Sequence, residues 1–530
     1  MSTESPERAT NSGSLDEFLG FREEVHVTMD NHTKELQKLS HGGCNDDQDA
    51  VTLLTNTVVA DKAKHNPNSE RNPDIEVTSN SLTVSSMTKN QIMKNLSMIC
   101  TSFFLMFTSF HSMLSLLTSL SKEEGMGTFA IFIECSFFMI SAMFLASFSI
   151  DRFGVKLTLF LSTFTTLSLM AANLYPVWAI MVPASIVCGL GAGPMWASQS
   201  AYVSELSKHY ANITQTKLKD SLSFFFGIFF MSLNGSKITG NLLSSLLLKQ
   251  NTQANTSMTL EEIEDCVANK QEAVSNATSL ERPDDMTIYT ICGTWIGIAS
   301  LGIVVSAFLS PVTIYGDEYK DGKREAIYSK FLASTKHFWN SRLQKILIPL
   351  SMYYGISNGF LIADFTKSIV GCTLGIQTVG DVMLCSGILN TVSAVLVGPL
   401  TKHFGHLPFF TIAFLCFGGV QVSLLIWKPG PENGYPFFIF GSIWGVADAI
   451  LKIQVMTIYG HLFADNIEAA YGSYFMLEAA GFITSTAYSV FLSTDVKLYI
   501  LLSFLVCSAI SYYTVEYIDR KQNKRQDVEQ

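Results

Sequence analysis

The sequence predicts an all-α membrane protein of twelve transmembrane helices arranged in two six-helix halves. Two observations lead to this fold class. Apolar residues make up 48% of the 530 residues and charged residues only 15%, against roughly 25% charged in an average soluble protein. The charges also lie outside apolar runs of roughly 20 residues, which is the length that crosses a bilayer. This composition argues against a soluble enzyme, a nucleic-acid-binding protein and a secreted disulfide scaffold.

The chain opens with a segment that contains no apolar run, residues 1–90. Its first 88 residues hold 15 acidic and 7 basic residues and few aromatic ones. Such a segment cannot bury enough apolar surface to offset the entropy lost on ordering. It also has no basic stretch followed by an apolar one, so it does not resemble a cleaved signal peptide. We therefore expect a disordered, acidic cytoplasmic tail.

The apolar runs are too long and continuous for barrel strands, so they predict helices, whose backbone polar groups are satisfied internally in lipid. They divide the chain into an N-terminal half at 91–309 and a C-terminal half at 343–516, with a linker at 310–342 and a basic tail at 517–530. The twelve runs lie approximately at 95–118, 129–150, 156–175, 177–202, 221–248, 288–309, 343–363, 379–400, 407–427, 435–459, 468–492 and 496–516.

The distribution of Lys and Arg predicts the orientation, because positive residues concentrate on the cytoplasmic side of a membrane protein. With the N-terminus inside, the inner gaps and flanks hold 19 Lys and Arg residues and the outer ones hold 7, the 1–88 tail being left out. Both termini are therefore expected in the cytoplasm. The chain ends without a retrieval signal, which favours the plasma membrane over the endoplasmic reticulum or an endosome.

The same topology places one long polar loop, 249–287, on the luminal or extracellular side. This loop holds two Asn-x-Ser/Thr sequons, at Asn255 and Asn276, which we expect to be glycosylated. It also holds Cys266, for which a free thiol is favoured over a bridge to Cys372 or Cys292.

A short motif recurs at the same inner gap of each half. The first copy contains Asp151, Arg152, Gly154 and Lys156, and the second has its glycine at Gly405, 251 residues later. Such a repeat predicts two related halves. The first copy resembles the loop between helices 2 and 3 of the major facilitator superfamily. That resemblance implies a major-facilitator-like fold, in which this loop forms a charge cluster between the halves.

Several longer stretches resemble one branch of that superfamily, the uncoordinated-ninety-three (Unc-type) ion-channel regulatory family. They cover both halves and leave the acidic tail out. The stretches lie at 94–108, 122–128, 171–199, 225–230, 240–244, 364–375, 444–449 and 468–482. The resemblance implies a multi-pass protein without catalysis or a cofactor. It also implies a membrane-protein partner, which is either a two-pore-domain potassium channel or a Toll-like receptor whose trafficking the protein assists.

Ionisable residues inside predicted spans need a reason, because a charge deep in lipid costs about 2.5–3.5 kcal/mol on insertion scales. Asp448 and Lys452 lie four residues apart on one helical face. They form either an ion pair within that helix or a cavity-lining pair that changes partners. Lys237 lies in an unusually polar span, and either lines a cavity or pairs with Glu134 or Glu478.

The remaining sequence patterns indicate helix packing and not a nucleotide, metal or catalytic site. The run of small residues from Gly189 to Gly193 lacks the preceding strand that a nucleotide site requires, so it indicates close helix packing. No metal-ligand spacing and no nucleophile–base pair is recognisable in the sequence, which argues against an enzyme.

Two functions remain in competition. The first is a regulatory or trafficking subunit that binds a potassium channel or a receptor in the bilayer. The second is a secondary transporter of a small solute, in which the halves rock about a midplane site. Lys237, Asp448, Lys452 and Glu478 would contact such a solute.

Overall fold

The computed structural model describes most of the two predicted halves. Residues 84–530 form one compact unit. The sequons at Asn255 and Asn276, Cys266, nearly all of the acidic tail and residues 313–330 of the linker lie outside the described residues. The structure describes residues 87–120, 126–247, 285–312, 331–374, 376–427, 434–489 and 491–529.

The regular structure in these residues is helical. Following the chain, the α-helices are α1 (Lys89–Leu120), α2 (Met126–Ala172), α3 (Trp178–Thr214), α4 (Leu218–Leu247), α5 (Asp285–Ala307), α6 (Ala333–Asn340), α7 (Arg342–Ile346), α8 (Ile348–Phe360), α9 (Cys372–Leu374), α10 (Ile376–Phe404), α11 (His406–Ile426), α12 (Tyr435–Leu462), α13 (Ile467–Ser489) and α14 (Thr494–Glu529). A π-helix, Leu361–Gly371, joins α8 to α9.

Eight helices of the described chain are long and apolar enough to cross a membrane: α1, α2, α3, α5, α10, α11, α12 and α14. The chain is a multi-pass membrane protein with an all-helical fold. The other predicted spans coincide with the second part of α2, with α4, with α8 and the π-helix, and with α13. The number twelve therefore stays a prediction. The helix α4 carries Lys237 and several amides and hydroxyls, which lower its hydropathy.

The two glycines of the repeated motif both adopt a positive φ. Gly154 has φ 76° and ψ 162° and breaks the long helix α2. Gly405 has φ 80° and ψ 175° and separates α10 from α11. Residues with a Cβ atom are strained at this positive φ. Glycine is therefore required at the same turn in each half.

The first span of the C-terminal half differs from its prediction. We expected one helix at 343–363, but the structure has the short helix α7, then α8, then a π-helix that extends to Gly371. A π-helix is wound more loosely than an α-helix, with i→i+5 hydrogen bonds, and is rare and frequent at functional sites. No periodic pattern in the sequence predicts it.

The small residues of α3 pack directly on α2, as expected. A Cβ atom added at Gly189 would lie 2.3 Å from the carbonyl oxygen of Glu134, and one at Gly193 would lie 2.3 Å from the backbone nitrogen of Ala142. Only glycine lets the two backbones approach so closely.

The N-terminal helices pack on the C-terminal ones along two seams. The helix α4 packs on α10 and α12, and α13 packs on α2 and α3. We call the end of the bundle that carries α6 and α7 the linker end. The helices of both halves meet there and at mid-depth.

Candidate functional site

A buried lysine lies where the two halves meet. Lys452 of α12 is 8% exposed. Its Nζ lies 2.9 Å from Oε1 and 2.7 Å from Oε2 of Glu478 on α13. The described ion pair of Lys452 is therefore between helices. The pairing within α12 with Asp448, which the sequence suggested, is not formed.

Four aromatic rings surround the same ammonium group. Its Nζ lies 4.4 Å from the ring centroid of Tyr354, 5.0 Å from Tyr474, 5.4 Å from Phe475 and 5.9 Å from Phe230. The Nζ also donates a hydrogen bond of 3.1 Å to the hydroxyl of Tyr474. Ring faces attract a cation most strongly where water is excluded. Phe230 belongs to the N-terminal half, so this aromatic box spans both halves.

Asp448 ends a chain of amides that also crosses the seam. Asn390 of α10 donates a hydrogen bond of 2.8 Å to Oδ2 of Asp448. Asn234 of α4 donates one of 2.5 Å to Oδ1 of Asn390. All three residues are buried. Asn390 was missed at the sequence level because a single neutral amide in a span gives no signal of its own.

Lys237 is half-buried on α4, one turn beyond Asn234. In the described part of the chain it forms no ion pair, so neither Glu134 nor Glu478 is its partner, contrary to one of the two alternatives.

Glu134 lies elsewhere, at the interface of α2 and α3. The thiol of Cys135 lies 3.6 Å from its Oε2 and donates to it. Glu134 is therefore not brought together with the cluster around Lys452, although the sequence placed both in the same candidate set.

The repeated loop lies at the surface of the linker end. Asp151, Arg152 and Gly154 are exposed and Lys156 is half-buried, and its charge cluster between the halves stays a prediction. Among the described contacts, further residues join the halves here. Lys219 at the start of α4 lies 3.0 Å from Glu516 and 3.6 Å from Asp519 of α14. Asp220 lies 3.4 Å from Nε2 of His406. Lys208 of α3 donates a bond of 3.1 Å to the carbonyl of Ala464.

A second, fully buried ion pair lies at the opposite end of the C-terminal half. Asp364 of the π-helix lies 2.6 Å from Nζ of Lys497 on α14, and both side chains are 0% exposed. The hydroxyl of Ser489 donates a bond of 2.7 Å to the same carboxylate oxygen. This pair ties the irregular first span to α13 and α14. Sequence reasoning missed it because Lys497 lies at the end of a span, where lysines are common.

The two cysteines considered as possible partners of Cys266 differ in their state. Cys372 is disulfide-bonded, whereas Cys292 is free, so a bridge from Cys266 to Cys292 is excluded. Cys266 itself lies outside the described residues.

The chain is similar to curated proteins and to a protein-family model. The model of the family described as ion channel regulatory protein UNC-93 matches residues 117–513. Protein unc-93 homolog A of Xenopus laevis is 35% identical over 435 residues, which cover 82% of this chain and 95% of that protein. The protein of the same description from Homo sapiens is 33% identical over 431 residues, covering 81% and 94%. The putative potassium channel regulatory protein unc-93 of Caenorhabditis elegans is 28% identical over 447 residues, covering 81% and 62%.

Solved structures share the fold. The fucose–proton symporter FucP of E. coli superposes with a TM-score of 0.57 at 13% identity, covering 81% of this chain and 99% of the other. The human organic anion transporter MFSD10 gives a TM-score of 0.55 at 10% identity, covering 80% and 99%. At these identities the likeness shows the fold alone, which is that of the major facilitator superfamily.

Proposed function

This chain belongs to the UNC-93 family of ion channel regulatory proteins, and we propose that it is a membrane subunit that regulates a potassium channel of the two-pore-domain type. The family membership over residues 117–513 carries the proposal. A relative at 28% identity is described as a putative potassium channel regulatory protein.

The geometry of the seam supports a regulatory scaffold. Lys452 is neutralised by Glu478 and enclosed by rings, and Asp448 accepts a hydrogen bond from Asn390. A bundle in which the charge of Lys452 is compensated within the protein can hold one conformation beside a partner, because no ligand is needed to compensate that charge.

We propose twelve spans in two six-helix halves, with both termini and the linker in the cytoplasm of the plasma membrane. Asn255 and Asn276 would then carry glycans on the outer side. Enzymatic removal of N-glycans should shift the mobility of the wild-type protein. The Asn255→Gln/Asn276→Gln variant should not shift. A glycan that persists on this double variant would contradict the topology.

The regulatory proposal is tested by recording potassium current in cells that express a two-pore-domain channel with and without this protein. Surface labelling of the channel separates gating from delivery. A change in current at constant surface density supports a gating regulator. If neither current nor surface level changes across a panel of such channels, the proposal fails, and trafficking of a membrane receptor or solute transport takes its place.

Secondary transport of a small solute is the second candidate, and Lys237 favours it. This half-buried ammonium group has no ion-pair partner among the described residues, and it lies next to the seam between the halves. Because Lys237 is not part of a buried pair, Lys237→Gln removes a ligand contact without stranding another charge. Uptake that depends on the protein should fall in this variant and also in Asp448→Asn/Lys452→Gln. Normal uptake in both variants would exclude a solute site at this seam.

A further inference from the structure

The short helix α6 of the linker is held to both halves, and α7, at the start of the C-terminal half, is held to that half, by their inward side chains. Ser334 is 1% exposed. Its hydroxyl lies 2.7 Å from that of Ser147 on α2, and its carbonyl accepts a bond of 3.1 Å from Ser473 on α13. On α7, Gln344 donates a bond of 3.0 Å to the hydroxyl of Tyr459 on α12. The orientation of the two helices is therefore set by the bundle.

The outward side of the same two helices is basic and aromatic. Lys336, Trp339, Arg342 and Lys345 are all exposed, and the indole of Trp339 is 63% exposed. The Nζ of Lys345 lies 6.0 Å from the centroid of the Trp339 ring, which brings the two helices' outward groups together. Residues 331–347 contain no Asp or Glu, so nothing within this segment neutralises the three cations.

The remaining titratable group of α6 points inward. His337 packs edge-on against Phe463, the residue that follows α12, with ring centroids 5.0 Å apart. Burial lowers the pKa of His337 below its usual value, so this side chain stays neutral. The positive charge of the segment thus comes from the three exposed side chains alone.

The position of the segment along the chain fixes its depth. The helix α8 begins at Ile348, three residues after Lys345. On its other side, Phe331 stacks on Phe144 of the membrane helix α2 at 5.4 Å. Outward groups so close to the apolar helices fit the level of the phospholipid headgroups, where tryptophan is enriched and where lysine and arginine reach the phosphate layer.

We propose that Lys336, Arg342 and Lys345, together with Trp339, form a binding site for the headgroup of an anionic phospholipid of the adjacent leaflet. The ammonium and guanidinium groups contact the phosphate and carboxylate oxygens, since both are charge-assisted hydrogen-bond donors. The indole lies in the interface beside the glycerol region. Under the proposed topology this leaflet is the cytoplasmic one, which carries the anionic lipids.

The test uses the full-length protein purified in detergent, with phosphatidylserine and phosphatidylcholine as the added lipids. Native mass spectrometry counts the lipid molecules retained, and the temperature of unfolding gives an independent measure of binding. The wild type should retain phosphatidylserine in preference to phosphatidylcholine. In Lys336→Gln/Arg342→Gln/Lys345→Gln this preference should fall by about 100-fold, because each of the three basic residues near an anionic surface contributes roughly fivefold.

A matched control removes the same charge from the same end of the bundle. Lys521→Gln/Lys524→Gln/Arg525→Gln changes three exposed basic residues of α14 and should keep the preference of the wild type. An equal loss in this control would overturn the proposal, because the effect would then follow net charge and not this site. Retention of the full preference by the linker variant would overturn it as well.

Two further controls test whether the loss comes from misfolding and whether the site binds a lipid or free phosphate. The Lys336→Arg/Lys345→Arg variant retains the charges and should behave as the wild type. If it loses the preference while eluting as a folded, monodisperse species, the charge argument is wrong. Inorganic phosphate should not displace phosphatidylserine. Displacement at equal concentration would assign the site to a soluble anion instead of a lipid.

Discussion

Glu478→Gln should destabilise the bundle more than any equivalent change at an unpaired carboxylate. The substitution keeps the size of the side chain but leaves the ammonium group of Lys452 without its counter-charge. Removing one partner of a buried pair costs about 3–5 kcal/mol. The Glu478 side chain is 21% exposed, so water compensates part of this cost. We therefore expect a loss of about 2–3 kcal/mol in the free energy of unfolding.

The double variant Lys452→Met/Glu478→Gln distinguishes the contribution of the ion pair to stability from the contribution of side-chain packing. Methionine keeps most of the lysine's apolar contacts with the rings of the box, so neither a charge nor a large void is left. The two single substitutions should together cost more than the double one, with a coupling of about 2 kcal/mol between the two positions.

The measurement is unfolding of the full-length protein by graded denaturing detergent in mixed micelles, followed by circular dichroism. Glu134→Gln is the control, because the described contact of that carboxylate is only a thiol at 3.6 Å. It should cost less than half as much as Glu478→Gln. Single effects that add to within about 0.5 kcal/mol would show that Lys452 and Glu478 do not stabilise each other. The assignment of the pair would then be refuted.

Three other perturbations have expected outcomes in the same unfolding assay or by peptide mapping. Gly193→Ala places a Cβ atom 2.3 Å from the backbone of α2 and should cost about 1–3 kcal/mol by overpacking, whereas Gly293→Ala, with no atom within 4 Å, should cost less than about 1 kcal/mol. Asp364→Asn leaves a lysine that is 0% exposed without its counter-charge and should cost about 3–5 kcal/mol; a loss below about 1 kcal/mol would contradict the pair. Digestion without reductant should recover the Cys372 peptide linked to a second peptide by a disulfide, and recovery of Cys372 as a free thiol would contradict the bridge.

The helices and the repeat were predictable from the sequence because both depend on local patterns. Apolar runs long enough to cross a bilayer are visible one segment at a time. The paired glycines at Gly154 and Gly405 are visible because the same loop residues recur. Close packing of α2 on α3 was also predictable, since small residues at Gly189 and Gly193 have few other uses in a membrane helix.

The partners of the charged residues were not predictable, because they come from distant segments. Lys452 has a carboxylate four residues away at Asp448, and local spacing therefore favoured the wrong partner over Glu478. Lys219 lies at the start of α4 and Glu516 at the end of the predicted span 496–516, where a charged residue is expected and needs no partner. Their contact depends on how the two halves pack, which no local pattern specifies.

The contacts at the linker end decide how easily the two halves could move. The described ion pairs there join Lys219 to Glu516 and Asp519, and Asp220 lies opposite His406. Partly exposed pairs of this kind contribute roughly 0–1 kcal/mol each, so these ion pairs together add only a few kcal/mol to the packing of the halves. A partner that binds one arrangement of the halves about 100-fold more tightly than the other supplies about 2.7 kcal/mol. A channel docked on the outer faces could therefore shift the bundle, and the bundle could shift the channel by the same free energy. The contacts that would gate a solute pathway are thus also those through which a regulatory subunit would be coupled to its channel.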